Sequence, residues 1–247
     1  QTIEPSEYQK DIFRYIIKLT VDSSIVQKHI MVEAVAGSGK TFTIEQATKY
    51  IPSNKTFCFL AFNKHIVEEF RSRSPETMRK NIMTLNSAGF QDVLSALEHQ
   101  KPKKYLNSSE GVDEDNVDLI LNVMFKENKY KSFSNEEIDI IKPIVNDLVA
   151  LFKSTMLKVN ERNLIELCKT YNVNTENVEI NDLISLCNDV MDFTMTILTN
   201  KWDRIDYNDQ IWLPLVLNLP SLKFDFVFID ESQDLNIAKF ELAKKMC

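Results

Sequence analysis

The run Ala34-Val35-Ala36-Gly37-Ser38-Gly39-Lys40-Thr41 has the residue types and spacing of a phosphate cradle. A polyphosphate needs backbone N–H groups converging on it, and Gly37 and Gly39 permit that curvature without a Cβ in the way. Ala36, Gly37, Ser38 and Gly39 would supply the cradle, and a helix opening at Lys40 turns its positive end towards the same anion. Lys40 would reach the β- and γ-phosphates and the Thr41 hydroxyl would ligate Mg²⁺, so ATP and Mg²⁺ are the implied cofactors. The general pattern opens with glycine, where this chain has Ala34.

A second chemical signal lies 189 residues after Thr41, at Asp230-Glu231. P-loop enzymes hold their metal with an acidic residue at the end of a neighbouring strand, which suits Asp230. Glu231 would orient and deprotonate an attacking water as general base. A strand ending in Asp-Glu is by itself a weak signal. It gains force from the P-loop in the same chain.

These residues need elements to carry them. Ser6 is an N-cap for an amphipathic helix with Ile12, Phe13, Ile16 and Ile17 on its apolar face. Ile30 to Val35 reads as a strand leading into the glycine turn, and Phe57 to Phe62 as a buried strand followed by a helix through Phe70. Phe224 to Ile229 is a third β-like run, dense in aromatic and β-branched residues. Strands separated by helices predict parallel pairing with right-handed crossovers. Between roughly residues 91 and 200 the pattern becomes helical: Ile138, Ile141, Val145, Leu148 and Phe152 recur at three- and four-residue spacing, as do Ile180, Leu183, Ile184, Cys187 and Val190. The expected fold is a split α/β domain carrying the P-loop, a parallel sheet with helices on both faces. Residues 1–90 and 201–247 form it, and 91–200 form an all-helical insertion.

Taken together, the motifs resemble those of the UvrD/Rep-type superfamily 1 DNA helicases. Asp230-Glu231-Ser232-Gln233-Asp234 is similar to the family's D-E-x-Q-D motif, and Ala-x-x-Gly-x-Gly-Lys-Thr is its form of the P-loop, which accounts for Ala34. Gln9 stands where the family places an adenine-reading glutamine. Leu60-Ala61-Phe62-Asn63-Lys64 is similar to motif Ia, and Thr84-Leu85-Asn86-Ser87-Ala88-Gly89-Phe90 to motif Ib, with Asn86 where histidine is usual. Ile205 to Ile211 is similar to the "D-F-D-D" stretch that precedes motif II. The resemblance implies a split RecA-like domain with a helical insertion, and an ATP-driven motor acting on single-stranded DNA. It implies contacts to nucleic acid from Phe62, Asn63, Lys64, Thr84, Asn86 and Ser87, and a γ-phosphate sensor at Gln233.

Several of these positions have a second reading. Ser6-x-x-Gln9 is also a capping box, in which Gln9 closes a helix end rather than touching adenine. Phe62 suits a base-stacking platform or the core. Arg71, Arg73 and Arg79 suit a backbone-tracking groove or a solvated face. Two other functions fit parts of the pattern: a P-loop switch or regulatory ATPase with no DNA role, and a binding module with a vestigial site.

The 247 residues carry a net charge of −7, which argues against wholesale coating of nucleic acid. Lys and Arg exceed Asp and Glu by three over residues 1–90, fall short by eight over 91–200, and by two over 201–247. The acidic insertion points to a protein partner, or to duplex contact through Lys101, Lys103 and Lys104. Four scattered cysteines and three histidines at no metal-ligand spacing indicate neither a disulfide framework nor a zinc site. Reduced thiols in an intracellular protein are expected instead, and with no apolar run approaching 18 residues no membrane span is expected. The chain ends 13 residues past Asp234. It is therefore expected to lack the second RecA-like lobe, which carries an arginine finger, and to bind ATP with little turnover.

Overall fold

The computed structural model describes residues 4–22, 29–35, 37–98, 112–199 and 203–247. Ala36, Trp202 and the three lysines at 101, 103 and 104 lie outside them. By contacts the chain divides into two compact units. Unit 1 comprises residues 1–85, 223–234 and 246–247; unit 2 comprises 86–222 and 235–245. These divisions fall at other points than the composition shift at 91 and 200.

Unit 1 is built on three parallel strands: β1 (Phe57–Ala61), β2 (Ile82–Thr84) and β3 (Phe226–Ile229), in the order β2-β1-β3. β1 is central and buried along its whole length, as its continuous apolar sequence requires. Its register sets Phe59 beside Ile82 and Leu60 beside Ile229, and the Asp230 N–H continues the ladder to the Leu60 carbonyl at 3.1 Å. α1 (Glu7–Val21) starts in a complete Ser6–Gln9 capping box. α2 (Lys40–Thr48) follows the glycine turn, and Ala47 packs with Phe13 and Ile16 of α1 against Phe226 and Phe228. α3 (Lys64–Arg73) and α4 (Glu76–Arg79) connect β1 to β2, with Phe70 stacked on Phe59 at a ring separation of 4.0 Å.

The expected strand at Ile30–Val35 is not part of this sheet. Its residues form no strand and are exposed, Met31 to 80% and Val35 to 79%. An apolar β-like run states only that a segment suits a pleated, buried surface; the partner edge lies elsewhere in the chain. The third β-like run also shortens. Phe224 and Asp225 precede β3, and Asp225 instead clamps its start, accepting from the Lys55 ammonium and the Thr56 N–H, both at 2.8 Å.

Unit 2 is helical: α5 (Leu85–Glu98, from Asn86 onward), α6 (Asn116–Met124), α7 (Asn135–Thr155), α8 (Glu161–Tyr171), α9 (Ile180–Met195), α10 (Tyr207–Val216) and α11 (Ile237–Lys245). Its core holds the predicted stripe Ile141, Val145, Leu148 and Phe152 of α7 against Leu183, Cys187 and Val190 of α9. Ser134 and Glu137 cap α7 reciprocally. Gly89 lets α5 approach α10 closely, since a Cβ there would lie 2.0 Å from the Gln210 carbonyl oxygen. None of the described helices is long and apolar enough to cross a membrane.

Candidate functional site

In unit 1 the two chemical motifs meet. Gly37 and Gly39 have φ of 77° and 80°, a left-handed backbone that side chains resist. Gly39 caps α2 without a side-chain acceptor, so the first N–H groups of that helix receive no side-chain oxygen from their cap. Lys40 and Thr41 follow at once. The Thr41 hydroxyl donates to Asp230 Oδ2 at 2.5 Å, and Asp230 is 3% exposed at the end of β3. Its other carboxylate oxygen accepts the Glu231 N–H at 3.0 Å.

Glu231 takes a left-handed φ of 52°, unusual outside glycine. That backbone turns its carboxylate towards Lys40, 3.3 Å away, and Gln233 Nε2 donates to the same oxygen at 2.5 Å. The Gln233 bond and then Lys40 hold the Glu231 carboxyl below its usual range. A cleft of about 500 Å³ opens here, lined by Gly37, Gly39, Lys40, Thr41, Glu231 and Gln233, together with Phe42 and Arg73. Its volume falls within the ~300–1,000 Å³ usual for small-molecule sites. The donor set fits a magnesium nucleotide: hydroxyl and carboxylate oxygens are paired at one end, and an ammonium lies beside them.

Gln9 closes the capping box, the second of its two readings. Its Oε1 accepts the Ser6 N–H at 2.9 Å, closing the cap, while its Nε2 donates to the Thr43 hydroxyl at 2.8 Å. The glutamine is thereby tied to α2, three residues beyond Lys40. Arg73, read from sequence with the arginines of a strand-tracking groove or a solvated face, instead lines this cleft, paired with Glu69 and 3.9 Å from Glu45. Arg71 and Arg79 donate to the Ile82 and Ser74 carbonyls and so hold backbone. Nothing local in the sequence separates these three arginines; their places on α3 and α4 do.

The six expected nucleic-acid positions divide between the units. In unit 1, Phe62 is 46% exposed just past β1, which favours a platform over the core, and Lys64 is exposed at the start of α3. The Asn63 side chain accepts the Ile66 N–H at 3.0 Å and is the N-cap of α3. Thr84 is buried at the end of β2, which leaves little of it for a ligand. In unit 2, Asn86 donates to the Tyr207 carbonyl at 2.7 Å, and Ser87 is half-buried beside it in the chain. Asn86 also lines a small cleft of about 120 Å³ with Tyr207, Asn208, Ile211, Asn236 and Lys239. Tyr207, Asn208, Asn236 and Lys239 carried no assigned role in the sequence, although Tyr207 and Asn208 lie inside the "D-F-D-D"-like stretch.

Residues 18–247 match the family model described as UvrD/REP helicase N-terminal domain. Comparison with curated proteins returned no match.

Proposed function

Starting from a chain that belongs to the UvrD/REP helicase N-terminal domain family, we propose that it binds Mg-ATP in the unit 1 cleft and couples ATP hydrolysis to movement on single-stranded DNA. The observation that carries the nucleotide reading is the pairing of Thr41 with Asp230 beside Lys40 and Glu231, residues drawn from two ends of the chain. Thr41 and Asp230 would hold the magnesium ion, which would supply positive charge to the phosphates. Lys40 neutralises phosphate charge directly, and the α2 N-terminus adds its dipole. Gln9 and Arg73 are assigned to the nucleoside and its phosphates.

Glu231 has two partners, of which Lys40 must let go during a cycle. The Gln233 hydrogen bond and then the Lys40 contact stabilise its anion and so lower its proton affinity. A γ-phosphate competing for Lys40 releases Glu231 to act on water, with Gln233 still holding its Oε2. This makes hydrolysis conditional on phosphate reaching Lys40.

For the strand, Phe62 and Lys64 supply stacking and charge on unit 1. On unit 2, Tyr207 (53% exposed) stacks a base, while Asn86, Asn208 and Asn236 offer amides to its edges and Lys239 offers charge to the backbone. Binding of labelled nucleotide and of an oligodeoxythymidylate, in the wild type and in Lys40→Ala and Tyr207→Ala, tests both halves. Undiminished nucleotide affinity in Lys40→Ala sinks the phosphate assignment. Nucleotide binding without any strand binding leaves a P-loop switch with no DNA role.

A further inference from the structure

The Tyr207 cleft is backed by a charge cluster that phosphate chemistry and strand contact both leave unused. Lys153, in the last turn of α7, is fully buried. Its Nζ lies 2.6 Å from Asp209 Oδ1, 3.1 Å from Asp206 Oδ2, and 5.8 Å from the centroid of the Trp212 ring. The two aspartates already cap α10 reciprocally: the Asp209 N–H donates to Asp206 Oδ1 at 2.7 Å, and the Asp206 N–H to Asp209 Oδ2 at 2.9 Å. Asn116 Nδ2 donates to Asp209 Oδ2 as well, at 3.0 Å.

That capping box needs no cation to be complete. Nor is stability a sufficient account of one, because buried ion pairs replaced by apolar residues of similar volume often lose nothing. What the cation adds is a third tether on a short loop. Tyr207 and Asn208 sit between the two aspartates and line the cleft, and Asn86 holds the Tyr207 carbonyl from α5. Lys153 also lines the cleft yet exposes no surface to solvent, so it is placed to set the wall rather than to bind what enters. Asn would serve as the N-cap equally well at 206; a carboxylate there gives Lys153 something to hold.

We propose that Lys153 is a positioning residue for single-strand binding: by gripping Asp206 and Asp209 together it fixes the first turn of α10, and with it the angle at which Tyr207 meets a base. This rests on the reading of the Tyr207 cleft as a base site.

The test is fluorescence anisotropy of a labelled oligodeoxythymidylate on the full chain. Tyr207→Ala is expected to weaken binding about tenfold, within the worth of stacking one base. Lys153→Met should weaken it by a similar factor while Mg-ATP affinity stays at the wild-type value. The double variant Lys153→Met/Tyr207→Ala should fall no further than Tyr207→Ala alone, since Lys153 acts through Tyr207. Losses that multiply overturn the inference. Asp206→Asn keeps the cap and the Lys153–Asp209 pair, so it folds even where Lys153→Met does not. It should bind several-fold more weakly at an unchanged melting temperature, and wild-type affinity in Asp206→Asn also overturns the inference. Undiminished binding by Tyr207→Ala defeats the base-site reading itself and the Lys153 role with it; loss in Tyr207→Ala without loss in either partner variant defeats only the latter.

Discussion

Two carboxylates one residue apart do different things because their backbones differ. Asp230 continues the β3 ladder and is buried against the Thr41 hydroxyl, whereas Glu231 turns left-handed and reaches back to Lys40. Glu231→Gln should therefore keep Mg-ATP affinity near wild type while single-turnover hydrolysis falls about 10²–10⁴-fold, the usual worth of a general base. Lys40→Ala should do the reverse in binding. Loss of a charged hydrogen-bond partner, at about 2 kcal/mol, predicts roughly a 30-fold weaker Kd for Mg-ATP by titration calorimetry. A Lys40→Ala chain that binds as tightly as wild type would place the phosphates elsewhere.

Elements bring these residues within reach, and two contacts between elements are exposed to single changes. Gly89 in α5 faces the Gln210 carbonyl of α10 so closely that a methyl group would overlap it. Gly89→Ala should cost about 1–3 kcal/mol through forced separation of the helices, despite alanine's better helix propensity. Trp212, buried in α10 two residues past Gln210, reports on this contact through its fluorescence in a thermal melt. The second contact is the Asp225 clamp that starts β3. Its Lys55 and Thr56 partners lower the Asp225 carboxyl from 3.8 to about 2. A depressed carboxylate stabilises the fold fully above its unfolded pKa and ceases to as pH falls through the folded one. Asp225→Asn should thus loosen β3 at pH 7, with the difference shrinking as pH falls from about 4 towards 2 and disappearing only below the folded value of about 2. Hydrogen-exchange protection of the Phe226 N–H, which bonds to the Thr56 carbonyl at 3.1 Å, measures it.

At the scale of the molecule, the nucleotide cleft draws its residues from unit 1 and the Tyr207 cleft draws its residues from unit 2. In the absence of the other ligand, Lys40→Ala should leave oligonucleotide affinity unchanged, and Tyr207→Ala should leave Mg-ATP affinity unchanged, each within a factor of about two. Under the proposed function, coupling is expected only when both ligands are present and must be reciprocal: whatever factor Mg-ATP applies to strand affinity, the strand applies to nucleotide affinity. The chain passes from one unit to the other at Asp234–Leu235, directly after the D-E-x-Q-D motif. Anisotropy titrations with and without saturating nucleotide measure the factor.

Chemistry that depends on neighbours in sequence was legible without coordinates. Gly37, Gly39, Lys40 and Thr41 form one turn, the Ser6–Gln9 cap closes within four residues, and the α7 stripe follows from a 3.6-residue period. Tertiary structure decided what depends on partners. Ile30–Val35 has the pattern of a strand but lies outside the sheet, because pairing is a property of two segments. Arg71, Arg73 and Arg79 look alike in the chain, yet one lines the cleft and two hold backbone carbonyls. Lys153, an ordinary lysine in a helical repeat, acquires its meaning only when α10 brings Asp206 and Asp209 to its Nζ. Short-range backbone geometry is written in residue type and order; which side chain meets which across dozens of residues is settled only by packing.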